Sequence, residues 1–181
     1  MRNHLYVDVP GLRRAAERCP LVLPGEVTVV DLGRLADLVS ALVPAVSRVV
    51  LCGGTPALGD TLLSRAGQDA GFVLRIVDLS AGPDGVEALA REVLSDSRGH
   101  LEPGLDAVTL VCGDDRLVPT IESLRTLGLP AHAFFFVEAS RRLKRAATTF
   151  WGLDGWFPWL LPWDAPGALP APPRGDQGSQ E

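Results

Sequence analysis

Acids and small residues collect where the apolar runs of this sequence stop. Asp8 follows Leu5-Tyr6-Val7, Gly53-Gly54-Thr55 follows the run ending at Cys52, Asp78 closes a third run, and Gly113-Asp114-Asp115 follows a fourth. A carboxylate at the end of a buried segment is costly to desolvate unless a partner meets it. Several gathered together repel one another and require a cation, and hard oxygen donors favour Mg²⁺ or Mn²⁺. An ion held that way can activate water and neutralise developing charge, which supports hydrolysis of a phosphodiester. Asp114 or Asp115 equally suits the cap of a following helix, where an aspartate accepts from free backbone N–H groups.

The elements that must position these residues read as short apolar strands alternating with helical stretches. Strands are expected over residues 4–9, 48–52, 72–79, 107–112 and 131–137, with 27–31 as a further short one. Helical spacing marks 38–43 as part of a helix, and also 60–70, 86–94, 118–127 and 140–147. Gly128 and Pro130 supply the stop for the helix ending near Leu127. Strands apolar on both sides, alternating with helices, imply a parallel sheet covered on both faces. The expectation is one α/β domain over 1–154, three-layered α/β/α, around a mainly parallel sheet of about five strands. Ligands of such sheets bind beyond the carboxyl ends of the strands, where the acids fall.

Residues 155–181 read as a separate tail. Its Trp156, Trp159 and Trp163 suit packing on the domain, a protein partner or a second copy, and its polar end has a disordered composition.

Composition narrows the function classes. A net charge of −5 argues against a general basic surface for nucleic acid, while leaving room for local arginines on phosphates. Cys19, Cys52 and Cys112 have no CxxC spacing and suit buried thiols in a reducing compartment. No uncharged apolar run approaches the ~18 residues of a membrane span, so a cytoplasmic protein without membrane contact is expected.

The segment Ala107-Val108-Thr109-Leu110-Val111-Cys112-Gly113-Asp114-Asp115-Arg116-Leu117-Val118-Pro119, with Ile121, Leu124 and Gly128 after it, resembles the "vvLvSGDsDFvPlv..l...G" block of NYN domains, the LabA-like branch of the PIN-like nucleases. Ser140, Leu143, Ala147, Phe150 and Leu153 match the spacing of that family's "S..L...AD.F..L" pattern. Leu5-Tyr6-Val7-Asp8 resembles its first strand, and Gly85-Val86-Glu87 its "KGVD" helix start. The resemblance implies a PIN-like, Rossmann-like fold and a metal-dependent ribonuclease. Asp8, Glu87 and Asp114 would hold Mg²⁺ or Mn²⁺, Asp115 would assist, and RNA would be the substrate.

The chain departs from that pattern at several places. Gly11 stands where the family has asparagine, Asp84 where it has lysine, and Arg116 where it has a second aspartate. Val93 replaces a helical acid, with Glu92 beside it, and Thr148 replaces the aspartate of "AD". An arginine in a ligand position repels a cation and can neutralise Asp114. The acidic site is therefore eroded, and a catalytically inactive RNA-binding or protein-interaction module is the alternative to an enzyme.

Three other features bear on ligands. The glycine-rich run 53–59 could cradle an anion but lacks the lysine of a Walker loop, which leaves Thr55 as a substrate contact at the cleft edge. Arg141 and Arg145 fall on one helical face and, with Arg116, could grip an RNA backbone, although a solvated surface explains them as well. His4, His100 and His132 are scattered and make no catalytic triad.

Overall fold

A computed structural model describes residues 1–18, 30–55, 72–79 and 84–161. In chain order its elements are β1 (Arg2–Asp8), α1 (Val9–Glu17), α2 (Leu32–Leu42), β2 (Val46–Cys52), β3 (Val73–Val77), α3 (Gly85–Gly99), β4 (Asp106–Val111), α4 (Val118–Thr126), β5 (Ala131–Phe135), α5 (Arg141–Ala146), β6 (Thr149–Gly152) and α6 (Phe157–Leu160). Single 3-10 turns lie at Asp115–Leu117 and Asp154–Trp156. The strands form one sheet of order β3-β2-β1-β4-β5-β6 in which every pair is parallel. Helices flank it in a three-layer α/β/α arrangement.

All five expected main strands form, with ends within two residues of expectation. A sixth, β6, lies outside β5. It escapes an apolar pattern because Thr149 and Gly152, its two ends, are exposed. Val9 leaves the first strand to open α1, because Pro10 suits a first helical turn and Asp8 caps it. The expected helix at 60–70 and most of the expected strand at 27–31 lie outside the described residues; Asp31 itself caps α2.

Two sets of contacts hold the layers together. On the face of β1 that carries Tyr6, the phenol donates to Asp96 of α3 at 2.8 Å, and Arg48 of β2 approaches the same carboxylate at 3.3 Å. Arg75 of β3 pairs with Glu92, one turn earlier on α3, at 3.0 Å. These pairs clamp α3 over β1, β2 and β3. Elsewhere Phe136 packs edge-on against Phe157 of α6, and Phe134 stacks with Trp151. Arg34 of α2 donates to the carbonyls of Trp159 and Leu161 and lies over the Trp159 ring. Trp156, Phe157 and Leu160 are buried, so the packed structure continues past residue 154 and takes in the start of the expected tail. Trp163 and the polar end of that tail lie outside the described residues. Among the described residues no helix is long and apolar enough to cross a membrane.

At the amino end of the sheet, Arg2 donates to both oxygens of Asp106 at 2.7 and 3.0 Å, and the Glu102 N–H adds a third bond. Burial alone would raise the Asp106 pKa, but Arg2, the Glu102 N–H and His4 outweigh it and hold it below the ordinary 3.8. A carboxyl with a depressed folded-state pKa stabilises above its unfolded pKa, and that contribution is lost as pH falls through the folded value. Asp106→Asn should therefore flatten the acid limb of a stability-versus-pH curve below about pH 4. An unchanged limb in denaturant titrations would remove Asp106 from the account.

Candidate functional site

The order of the strands creates one natural crevice. From β1 the chain goes to β2 on one side, while β4 lies on the other, so the carboxyl ends of β1 and β4 border a topological switch point. Asp8 ends β1, and Gly113-Asp114-Asp115 leave β4 beside it. Asp78 follows edge strand β3, two strands away from β1.

Asp8 is almost fully buried, at 2% exposure. Its register partner on β2 is Cys52, and Cys112, just past β4, brings its thiol to 3.9 Å from Oδ2. Its one backbone donor here is the Gly11 N–H at 3.1 Å. The absent side chain at Gly11 has a positive reason: a Cβ there would collide with Oδ2 of Asp8, and one on Gly85 would collide with Oδ1. Two glycines thus close over the carboxylate from α1 and α3. Burial pushes the Asp8 pKa up against the opposing Gly11 N–H and Arg14, and the charges of Asp84 and Asp114 push the same way. Burial likewise pushes the thiols of Cys52 and Cys112 up to about 12, so both remain protonated and inert.

Asp114 caps the turn Asp115–Leu117 by accepting from Arg116 N at 2.9 Å. The Arg116 side chain then turns back on it, with Nε at 3.1–3.2 Å from both oxygens and Nη2 at 2.8 Å from Oδ2. Its Nη1 reaches Asp84 at 2.5 Å. Asp84 also caps α3, accepting from the Glu87 N–H at 3.0 Å. Arg116 is the first cause holding both carboxyls below the ordinary range, with backbone N–H groups helping. These side chains are partly exposed, so solvent weakens each pair. Geometry, not strength, matters here: the guanidinium fills the space between two acids.

The expected ligands are therefore not assembled. Glu87 is exposed in the first turn of α3, and the acid that meets Asp114 through Arg116 is Asp84. Among the described residues no group of three or more His, Cys, Asp or Glu side chains could hold a metal ion. Asp8 is enclosed, Asp114 is occupied, and Asp115 faces Arg142 at 3.5 Å. Glu92 is buried against Arg75, and Thr148 bonds Ala131 at the opposite end of β5. In this arrangement the residues do not fit Mg²⁺ or Mn²⁺. Sequence reasoning passed over Asp84 as a site residue; its place before Gly85 at a helix start was the available signal.

The remaining candidates line the rim. Arg141 and Arg145 are exposed on α5, whose cap Ser140 donates its N–H to Gly113 O at 2.9 Å, which sets this helix beside the loop after β4. Lys144 of the same run is engaged instead with Val137 O and the Phe150 ring. Thr55 is exposed beyond β2, and residues 56–59 of the glycine-rich run lie outside the described residues.

No family model matches the chain, and no curated protein is similar to it. Among solved structures it is similar to a protein of unknown function from Vibrio parahaemolyticus: 13% identity, TM-score 0.58, with 84% of this chain and 92% of that one covered. At that identity the likeness extends to the fold alone.

Proposed function

We propose that this chain is an NYN-like domain that holds single-stranded RNA across the carboxyl ends of β1 and β4 without cutting it. The observation that carries the reading is the fourfold grip of Arg116 on Asp114, the acid that the resemblance sets at the centre of hydrolysis. A carboxylate so engaged is not free to bind an ion or orient water. Arg141 and Arg145 support a role in binding, since their guanidinium groups are exposed on the helix bordering that loop. Such arginines grip phosphates without reading sequence.

The test is fluorescence anisotropy with labelled single-stranded RNA in EDTA. Wild type should bind, and Arg141→Ala/Arg145→Ala should weaken binding roughly tenfold and lower the salt slope by about 1.4. No cleavage should follow when Mn²⁺ replaces EDTA. Equal affinity of wild type and double variant, or no binding at all, would reject the reading. The second reading is the metal-dependent ribonuclease, favoured by Asp8 ending β1 and Asp114 following the adjacent β4. Cleavage in Mn²⁺ that disappears in Asp8→Ala/Asp114→Ala would establish it instead.

A further inference from the structure

Two of the departures from the NYN pattern turn out to be a single pair. The pattern has lysine at position 84 and aspartate at position 116, and this chain has aspartate and arginine, in reverse. The two exchanged side chains meet in space, Arg116 Nη1 to Asp84 Oδ2 at 2.5 Å. Relative to the pattern, the positive residue stands at the turn after β4 and not at the start of α3. There it also reaches Asp114, through Nε and Nη2.

We infer that Arg116 is the resident cation of this cleft and has taken over the divalent ion's task of joining the start of α3 to the loop after β4. The inference rests on the non-cutting reading above. A guanidinium suits the task because its planar fork bonds two carboxylates at once and keeps its charge at any physiological pH. The total charge stays the same, but its placement changes. Asp84 and Asp114 carry two negative charges against one positive, whereas the reversed polarity would set Asp114 and an acid at 116 side by side, with the cation on α3. Only that arrangement leaves a surplus of oxygen donors at the loop, and Mg²⁺ or Mn²⁺ can be held by one or two carboxylates with waters completing the shell. Arg116 and a divalent ion therefore compete for one position, and in this chain a side chain of its own occupies it.

The experiment titrates Mn²⁺ alone into the full chain, by calorimetry and by Mn²⁺ electron paramagnetic resonance. Three proteins are compared: wild type, Arg116→Ala, and the double reversal Asp84→Lys/Arg116→Asp. Wild type should show no saturable binding, with a melting temperature identical in EDTA and Mn²⁺. The double reversal, which keeps an ion pair between the two positions and so guards against simple unfolding, should show saturable Mn²⁺ binding, at least roughly tenfold tighter than the weakest binding the titration detects. That figure follows from moving the positive charge off the loop to the start of α3, discounted for solvent. Arg116→Ala should melt lower than wild type in EDTA and recover in Mn²⁺. Saturable Mn²⁺ binding by wild type, or no gain in the double reversal, would overturn the inference. RNA binding by wild type in EDTA is read separately, so either proposal can fail while the other stands.

Discussion

Asp96→Ala should lower the unfolding free energy by about 3–5 kcal/mol, the loss expected when one member of a buried charged network is removed. Asp96 is 2% exposed and joins three elements: α3 carries it, Tyr6 of β1 donates to it, and Arg48 of β2 stands at 3.3 Å. Truncation leaves the buried phenol of Tyr6 without its acceptor and the largely buried guanidinium of Arg48 without its partner. A control separates the cost of orphaning from the worth of the network. Tyr6→Phe/Arg48→Met/Asp96→Leu replaces every polar member with an apolar one of similar size and should lie within about 2 kcal/mol of wild type. Urea unfolding of the three proteins measures both. A single-variant loss below about 1 kcal/mol would mean that water reaching Arg48 replaces the lost acceptor, and would discard the clamp.

Gly85→Ala should cost about 1–3 kcal/mol, the range for forcing extra atoms into packed surroundings. An ordinary glycine-to-alanine change inside a helix stabilises by up to about 1 kcal/mol, so the sign itself is diagnostic. The opposing factor is Asp8, whose Oδ1 occupies the space that the new methyl would take. That carboxylate cannot retreat, because Gly11 closes the other side and Cys52 and Cys112 flank it on the neighbouring strands. In an Asp8→Ala background the obstacle is gone, and the same substitution should become neutral or favourable. A coupling of at least about 1 kcal/mol in the double-mutant cycle is the expected result, and additive effects would show that the methyl finds room elsewhere.

How much of this was legible beforehand varied with the kind of interaction involved. β1, β2, β4 and β5 carry apolar residues on both sides because helices cover both faces of the sheet, and that pattern is written in the residues themselves. β6 was hidden because an edge strand needs only one good neighbour, and four residues ending in Thr149 and Gly152 give no run. α1 was hidden because Val9 prolongs the apolar segment up to the proline that in fact opens a helix. At the candidate site, the positions of Asp8 and Asp114 followed from the general rule about strand ends. The direction of Arg116 did not. It depends on a 3-10 turn that swings a residue two places after Asp114 back over it, and on Asp84 arriving from 32 residues earlier. Glu87 was chosen because Gly85-Val86-Glu87 resembles the "KGVD" helix start, which sets a lysine at position 84. A first-turn acid and a capping acid sit three residues apart and look alike in a linear pattern, and only the coordinates tell which one turns toward the loop.

The order of the strands also bears on how this protein comes to be folded. β1 emerges first, yet one of its two neighbours is β4, and the Arg2–Asp106 bond spans 104 positions. Chains dominated by such distant pairings collapse slowly, because a long loop must close before any reward is collected. During synthesis, then, the segment bearing Asp8 can complete its pairing on the β4 side only once position 111 has left the ribosome. Slowed translation or a holdase acting in that interval would change the yield of native protein more than any substitution on the rim of the cleft.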